Sequence, residues 1–176
     1  MRWLTVCLLY TLPIFEVDCN ETIVNVRGKV KTIIESVETD CDHDYVEYFD
    51  IVPNKILLFT FRVAKVAPSF NLTITTRSAK TKRVMYKITV DGCPFLSNPI
   101  INKVLGSTYR KILVNTTFKC PIPPKVYFMK NVAALFAMPA FHPAGQFQMN
   151  ARVRMPQTNA PFVMDINWKY SIEHLK

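Results

Sequence analysis

Apolar and polar residues alternate with almost no errors in five segments of this chain. In the clearest pair, residues 147–155 and 162–172, every second residue is apolar, beginning at Phe147 and Phe162. Successive side chains of a strand point to opposite faces, so this period of two predicts strands with one polar and one apolar face. Antiparallel sheets commonly have faces of these two kinds. The pattern therefore predicts a mainly β protein built from antiparallel sheet.

Further strands are expected at residues 24–37, 45–52, 55–66, 70–77, 84–90 and 125–130, which gives about eight in all. The three strands at 55–66, 70–77 and 84–90 are predicted to form a meander. Residues 99–114 have apolar positions three and four apart after Asn98-Pro99, which predicts one amphipathic helix. That helix is either a crossover that covers the sheets or a lid over one end of a cavity.

A second irregular segment, residues 132–141, is apolar and nearly uncharged. An apolar loop between strands is either buried under the sheets or lines an opening, because exposed apolar patches usually contact something. The alternation alone does not say whether the apolar faces enclose a filled core or a cavity.

The N-terminus and the cysteines indicate an extracellular protein. Residues 1–17 have a positive residue followed by a short apolar run, which predicts a signal peptide, and residues 18–176 are predicted to form a single domain. Removal of Cys7 with the signal leaves an even set of four cysteines, for which three pairings are possible. The more local pairs, Cys93–Cys120 and Cys19–Cys41, are expected, and closing the first loop stabilises the fold by about 3 kcal/mol. Glycosylation is expected at three sequons, which begin at Asn20, Asn71 and Asn115.

The formal net charge of the 176 residues is +9, and the densest basic cluster is residues 77–83, which is predicted to be a hairpin tip. It is either a solvated turn or a patch that attracts anionic headgroups or an acidic partner. Secretion excludes a nucleic-acid partner. No later segment is long and apolar enough for a transmembrane span.

Motifs that carry catalysis or bind cofactors and metals are missing from the sequence. There is no G-x-S-x-G, H-E-x-x-H or glycine-rich phosphate loop. The acidic stretch around Cys41 lacks the spacing of a calcium loop. We therefore expect no enzymatic function, catalytic residue, metal or cofactor.

The segment from Met85 to Leu96, MYKITVDGCPFL, resembles the most recognisable segment of a large insect family of secreted proteins related to the Che chemosensory proteins. In that family a Y-x-I-T-V-D-x-C-x-F-L strand leads into a helix, a Cys-Pro follows (here Cys120-Pro121), and a terminal strand pair closes the domain. The resemblance covers roughly residues 30–172. The chain departs from the family at residues 122–124, which are proline-rich, and in the apolar loop.

More distantly the family resembles the ML lipid-recognition domains and the ganglioside activator protein. This implies an immunoglobulin-like antiparallel β-sandwich or β-cup that holds an acyl chain. The expected function is secreted binding of a lipid, fatty-acid derivative or hydrocarbon pheromone in insect contact chemosensation. The alternative is an extracellular protein-interaction module with a filled core, which would bind a receptor through its apolar loop or basic tip.

Residues on the apolar faces are the candidates for contact with such a ligand. They are simply the inward-facing set, and for each of them ordinary core packing is favoured over ligand contact. The predicted lining consists of Phe59, Phe61, Phe70, Leu72, Tyr86, Ile88, Leu105, Tyr109, Phe147, Met149, Met164 and Trp168.

Overall fold

The computed structural model describes residues 23–27, 29–53, 55, 58–100, 112–114, 116, 119–130 and 142–175. These residues form strands and a short helix, α1, at Gly92–Ser97, and Pro99 and Ile100 are also helical. The strands are β1 Ile23–Arg27, β2 Val30–Cys41, β3 Val46–Ile51, β4 Leu58–Val63, β5 Asn71–Ser78, β6 Val84–Asp91, β7 Val126–Lys130, β8 Gly145–Arg154 and β9 Met164–His174. The prediction of a mainly β protein with antiparallel strands is confirmed.

The strands form two sheets. One has six strands in the order β1-β2-β9-β8-β5-β6, and the other has three in the order β3-β4-β7. The predicted meander is therefore wrong in one respect. β5 and β6 form a hairpin, but β4 belongs to the other sheet, where it pairs with β3 and β7. Between β4 and β5 the chain changes sheets, and Ala67 makes an isolated bridge to Ile122 on the way.

Buried residues from both sheets form a single hydrophobic cluster, so the two sheets pack as a sandwich. The cluster contains Phe49, Phe59 and Phe61 from the smaller sheet. From the larger sheet it contains Phe147, Met149, Ile166, Trp168, Tyr170 and Ile172, all apolar positions of the predicted alternation. The period of two thus identified the buried face of β8 and β9 correctly.

Two β-bulges explain where the alternation fails. In β2 the register against β9 shifts between Ile34 and Ser36, so that Glu35 is the extra residue and the inward positions change phase. The single strand predicted at residues 24–37 is therefore wrong: the segment contains β1 and the first part of β2, which pair as a hairpin, and the bulge lies near its end. In β6 the extra residue is Met85, and it packs against the core although the alternation places it on the polar face.

The region of the predicted helix agrees with the expectation at its start and differs at its end. Pro99 and Ile100 are helical, and the Ile100 N–H donates to Asn98 Oδ1 at 2.9 Å, as expected of an Asn cap. The far end pairs with β7 instead, because Leu113 bridges to Met129 and the Val114 N–H donates to the Phe128 carbonyl oxygen. Pairing with β7 satisfies these backbone groups in place of helical hydrogen bonds. Residues 101–111 lie outside the described residues.

One of the two expected disulfides is present. Cys93 and Cys120 are bonded, with their Cα atoms 5.8 Å apart. Cys41 has a free thiol, so the expected Cys19–Cys41 bond is not formed, and Cys19 itself lies outside the described part of the chain. The predicted signal peptide also lies outside it. Among the described helices, none has the length and apolar character needed to cross a bilayer.

Gly92 begins α1 at a point where the backbone touches a neighbouring ring. A Cβ atom at Gly92 would overlap the ring of Phe70, and the Gly92 N–H donates to the Phe70 carbonyl oxygen at 2.7 Å. We therefore expect Gly92→Ala to lower the free energy of unfolding by about 1–2 kcal/mol through overpacking. Urea denaturation measures the change. In a Phe70→Leu background the same substitution should cost less, and an equal cost in both backgrounds would contradict this explanation.

Candidate functional site

The inward face of the six-stranded sheet is largely apolar from β9 through β8 and β5 to β6, but its burial is not uniform. Directly opposed residues form rows across the strands, and one row runs from Ile166 through Ala151 and Ile74 to Ile88. Ile166 is 6% exposed, whereas Ile88, at the other end of the same row, is 59% exposed. The neighbouring row runs from Trp168, 1% exposed, to Tyr86, 38% exposed. Burial is therefore lost progressively toward β6.

The cause is the different width of the two sheets. Neighbouring strands lie about 4.8 Å apart, so six strands span about 24 Å and three span about 10 Å. The smaller sheet can cover only part of the larger one, and β3 packs near β2 on the side away from β6. β6 is the edge strand, and Val84, Tyr86 and Ile88 are large apolar residues exposed on it. We call the inward apolar side of β5 and β6 the open face.

A cleft of about 730 Å³ adjoins the open face at the end where the β5–β6 hairpin turns. One wall is the hairpin, and the other is the segment that enters β8. The hairpin contributes Ser78, Lys80, Thr81, Arg83, Val84, Met85 and Tyr86, and the second wall contributes Pro143, Ala144, Gly145, Gln146 and Phe147. This volume lies in the range typical of small-molecule sites.

Aromatic rings pack around His142 beside the cleft. The His142 ring lies 4.5 Å from the Phe147 ring in an edge-to-face arrangement and 5.6 Å from the Tyr86 ring, between centroids. The Tyr170 ring is 5.6 Å from that of Phe147. His142 is nearly fully buried. These contacts connect Tyr86, which is partly exposed on the open face, to the core of the sandwich.

Hydrogen bonds determine the proton positions in this cluster. His142 Nδ1 lies 3.1 Å from the Pro143 carbonyl oxygen, which can only accept, so Nδ1 carries the proton. Nε2 is then free to accept from the Tyr170 hydroxyl at 3.5 Å. Burial raises the pKa of Tyr170 to about 12, against a smaller opposite effect of its hydrogen bond with Thr76. The Tyr170 hydroxyl therefore stays protonated at physiological pH.

The opposite face of the same sheet carries a polar network. Asp165 is 5% exposed and accepts from Arg152 Nε at 2.8 Å and from Asn150 Nδ2 at 2.9 Å. Asn167 Nδ2 donates to the same carboxylate at 3.0 Å. All the donors lie on β8 and β9, so the network ties these two central strands together. It stabilises the sheet and lies away from the open face.

The predicted lining residues occupy several different environments. The core contains five of them: Phe59, Phe61, Phe147, Met149 and Trp168. Phe147 also lines the cleft, as does Tyr86. Phe70, Leu72 and Met164 are half-buried, Ile88 is exposed on β6, and Leu105 and Tyr109 lie outside the described residues.

Sequence reasoning missed His142, Tyr170 and the walls supplied by Lys80, Arg83 and Gln146. The apolar alternation contained Tyr170, but nothing in the sequence placed it beside His142. The basic cluster at residues 77–83 is evident in the sequence, but its position against the start of β8 depends on the pairing of β5 with β8.

Other predicted sites can be placed in part. Asn71 lies at the start of β5, half-buried, opposite Arg154 and Asp91, while Asn20 and Asn115 fall outside the described residues. Burial, together with the neighbouring Asp40, Asp50 and Asp42, raises the pKa of the Cys41 thiol, which makes it a poor nucleophile and metal ligand. Over the described ranges, no group of three or more His, Cys, Asp or Glu residues could hold a metal ion.

Comparison with known proteins gives two similarities. No protein of curated function matches the chain. A crystal structure of chicken MD-1 complexed with lipid IVa aligns with 87% of this chain and 96% of that one, at 10% sequence identity and a TM-score of 0.30. This TM-score is too low for the comparison to bear on function. A family model described as "Protein of unknown function (DUF1091)" matches residues 70–149, which include the segment 85–96 that resembles the insect family.

Proposed function

We propose that this chain is a secreted binding protein for a small, largely apolar molecule, which is held on the open face of β5 and β6 and in the adjoining cleft. One observation carries the proposal. A single inward row of the sheet passes from the buried core at Ile166 to 59% exposure at Ile88, with no change in its apolar character. Soluble proteins rarely leave such a face unoccupied.

The proposed site differs from the cavity between the sheets that the sequence suggested. Phe59, Tyr127 and Trp168 are almost completely buried and pack in the part of the sandwich that both sheets cover. A ligand that entered there would have to displace core side chains, which are close-packed. The open face requires no such displacement on β6, because Tyr86 and Ile88 are already accessible.

Desolvation is the proposed driving force. Each methylene group that leaves water contributes about 0.8 kcal/mol. A chain of about ten methylenes would gain on the order of 8 kcal/mol, from which the costs of association and of ordering the chain are subtracted. A net gain of about 8 kcal/mol corresponds to a Kd of about 1 μM, so after these costs a chain of this length binds more weakly than micromolar.

Secretion and ligand class remain part of the proposal. The Cys93–Cys120 disulfide supports an oxidising compartment, as does the signal-like pattern of residues 1–17. The resemblance of residues 85–96 to the insect chemosensory family supports a fatty-acid-derived lipid or a hydrocarbon pheromone as the ligand. A role in contact chemosensation is supported by that resemblance alone.

The test uses the neutral fluorescent probe N-phenyl-1-naphthylamine, whose emission rises in apolar surroundings. We expect the wild-type protein to bind the probe and Ile88→Asp to weaken binding at least tenfold, because the carboxylate would have to be desolvated beneath the ligand. Ile88 is mostly exposed, so its replacement should change the free energy of unfolding by less than about 1 kcal/mol.

Thr89→Asp is the matched control. Thr89 is the next residue of β6, is exposed, and lies on the opposite face, where it pairs with Thr73. This variant introduces the same charge and should bind the probe like the wild type. If the wild type does not bind the probe, the carrier proposal fails and an extracellular protein-interaction module becomes the better explanation. Equal weakening by both variants would mean that the open face is not the site.

A further inference from the structure

The tip of the β5–β6 hairpin combines high positive charge with a fixed backbone. Residues 77–83 contain four cationic side chains and no acidic one. The Lys82 N–H donates to the Ser78 carbonyl oxygen at 2.9 Å, and the Ser78 N–H donates to the Arg83 carbonyl oxygen at 3.0 Å. Lys82 has a left-handed backbone, with φ of 59°. The turn is therefore closed by its own backbone hydrogen bonds.

Only two of the four cations line the cleft. Lys80 and Arg83 do, together with the apolar side chains of Val84, Tyr86 and Phe147, whereas Arg77 and Lys82 do not. The Ala79 N–H donates to the Gln146 carbonyl oxygen at 2.9 Å, which holds the tip against the start of β8. Positive charge and apolar surface thus meet within one cleft whose two walls are joined.

These cations lack acidic partners in the described structure. The ion pairs found among the described residues use Lys31, Arg62, Arg152 and Lys169, and none uses a cation of the tip. Among the described residues that line the cleft there is no acidic side chain. An anion bound there would therefore meet positive charge that is not already neutralised.

We propose that the cleft binds the anionic head of a single-chain amphiphile, with Lys80 and Arg83 on its oxyanion and its apolar chain on the open face. The inference rests on the function proposed above and adds a ligand class to it. An arginine guanidinium offers paired donors that match a carboxylate or phosphate, and the lysine adds a flexible second charge. A bare anion would leave the apolar part of the cleft unused. A membrane surface would engage all four cations alike, whereas the cleft selects two.

The experiment compares two molecules that share a chain and differ in the head. Dodecanoate and 1-dodecanol compete for the bound N-phenyl-1-naphthylamine at pH 7.5 and low salt, with the full secreted chain. We expect dodecanoate to bind more tightly and to lose affinity as sodium chloride is raised, because salt screens exposed charges. The double variant Lys80→Gln with Arg83→Gln should weaken dodecanoate about tenfold, since each exposed charge contributes modestly. Its affinity for 1-dodecanol should stay within about twofold of the wild type.

Lys82→Gln is the matched control, because it removes one charge from the same turn but from outside the cleft. We expect it to change dodecanoate affinity by less than about twofold. If Lys82→Gln weakens dodecanoate binding as much as Lys80→Gln alone does, the proposal is overturned, because the positive charge of the whole tip would then attract the ligand.

If dodecanoate and 1-dodecanol compete equally, the head-group site fails while the apolar site stands. If neither competes and the probe does not bind, the proposed function itself fails. If the protein floats with phosphatidylserine vesicles but does not bind dodecanoate, its partner is a membrane surface, and the head-group proposal is overturned.

Discussion

Replacement of Trp168 by alanine is expected to lower the free energy of unfolding by about 3–5 kcal/mol. Trp168 is 1% exposed, lies in the middle of β9, and is flanked on the inward face by Val37 of β2 and Met149 of β8. Truncation removes the largest side chain of the core and leaves a cavity that the flanking strands can fill only partly. Because β9 pairs on both sides, the sheet cannot close the gap without breaking its ladders. For a domain of this size, such a loss is a large share of the total stability.

Urea denaturation followed by far-UV circular dichroism measures this loss. The neighbouring Lys169→Ala is the control, because Lys169 points to the opposite face. There it makes an exposed ion pair with Glu38, with 3.6 Å between Lys169 Nζ and Glu38 Oε1. It should cost less than about 1 kcal/mol. A small effect of Trp168→Ala would mean that this residue lines a space able to collapse, such as a ligand cavity.

Replacement of Asp165 by asparagine is expected to cost about 3 kcal/mol, although the change removes no side-chain volume. The Asp165 carboxylate accepts from Arg152, Asn150 and Asn167 and is almost completely buried. An amide in its place would present an NH₂ group to at least one of these donors and leave the half-buried Arg152 cation without its counter-charge. The loss of stability therefore comes from buried polar groups that are left without hydrogen-bond partners.

The exposed ion pair between Arg62 Nε and Glu47 Oε2, 2.9 Å apart, provides the comparison. Both partners are more than half exposed, so Glu47→Gln should change the free energy of unfolding by less than about 1 kcal/mol. Thermal and urea unfolding of both variants test this. If the two substitutions lower the free energy of unfolding equally, the Asp165 network stabilises the fold no more than a surface ion pair does.

Strand positions could be predicted closely from the sequence, and sheet membership could not. The predicted strand at residues 84–90 is β6, Val84–Asp91, and that at 125–130 is β7, Val126–Lys130. Alternation is a local property and therefore marks a strand wherever it lies. The choice of partner is non-local: β4 joins β7, which is more than sixty residues away, instead of β5, which follows it directly.

The helix prediction shows a related limit. The apolar spacing of residues 99–114 has a helical period, yet Leu113 pairs with Met129. Periodicity shows which side chains share a face, but it does not show which backbone groups elsewhere in the chain can form hydrogen bonds with the segment. Near β7 an unpaired strand edge was available, and its hydrogen bonds decided the conformation at that end.

The sequence by itself determined that this protein consists of antiparallel strands with one apolar face, and it identified the residues of that face on β8 and β9. It also favoured the Cys93–Cys120 pair among three possible pairings and supplied the charge of the hairpin tip. Only the tertiary structure decided which apolar residues are core and which are accessible. Ile166 and Ile88 have the same local pattern, but the three-stranded sheet is too narrow to cover six strands. Ile166 lies where the three-stranded sheet covers the larger sheet and is therefore part of the core. Ile88 lies beyond the covered part and is exposed on the proposed binding face. No local sequence pattern encodes this difference in position.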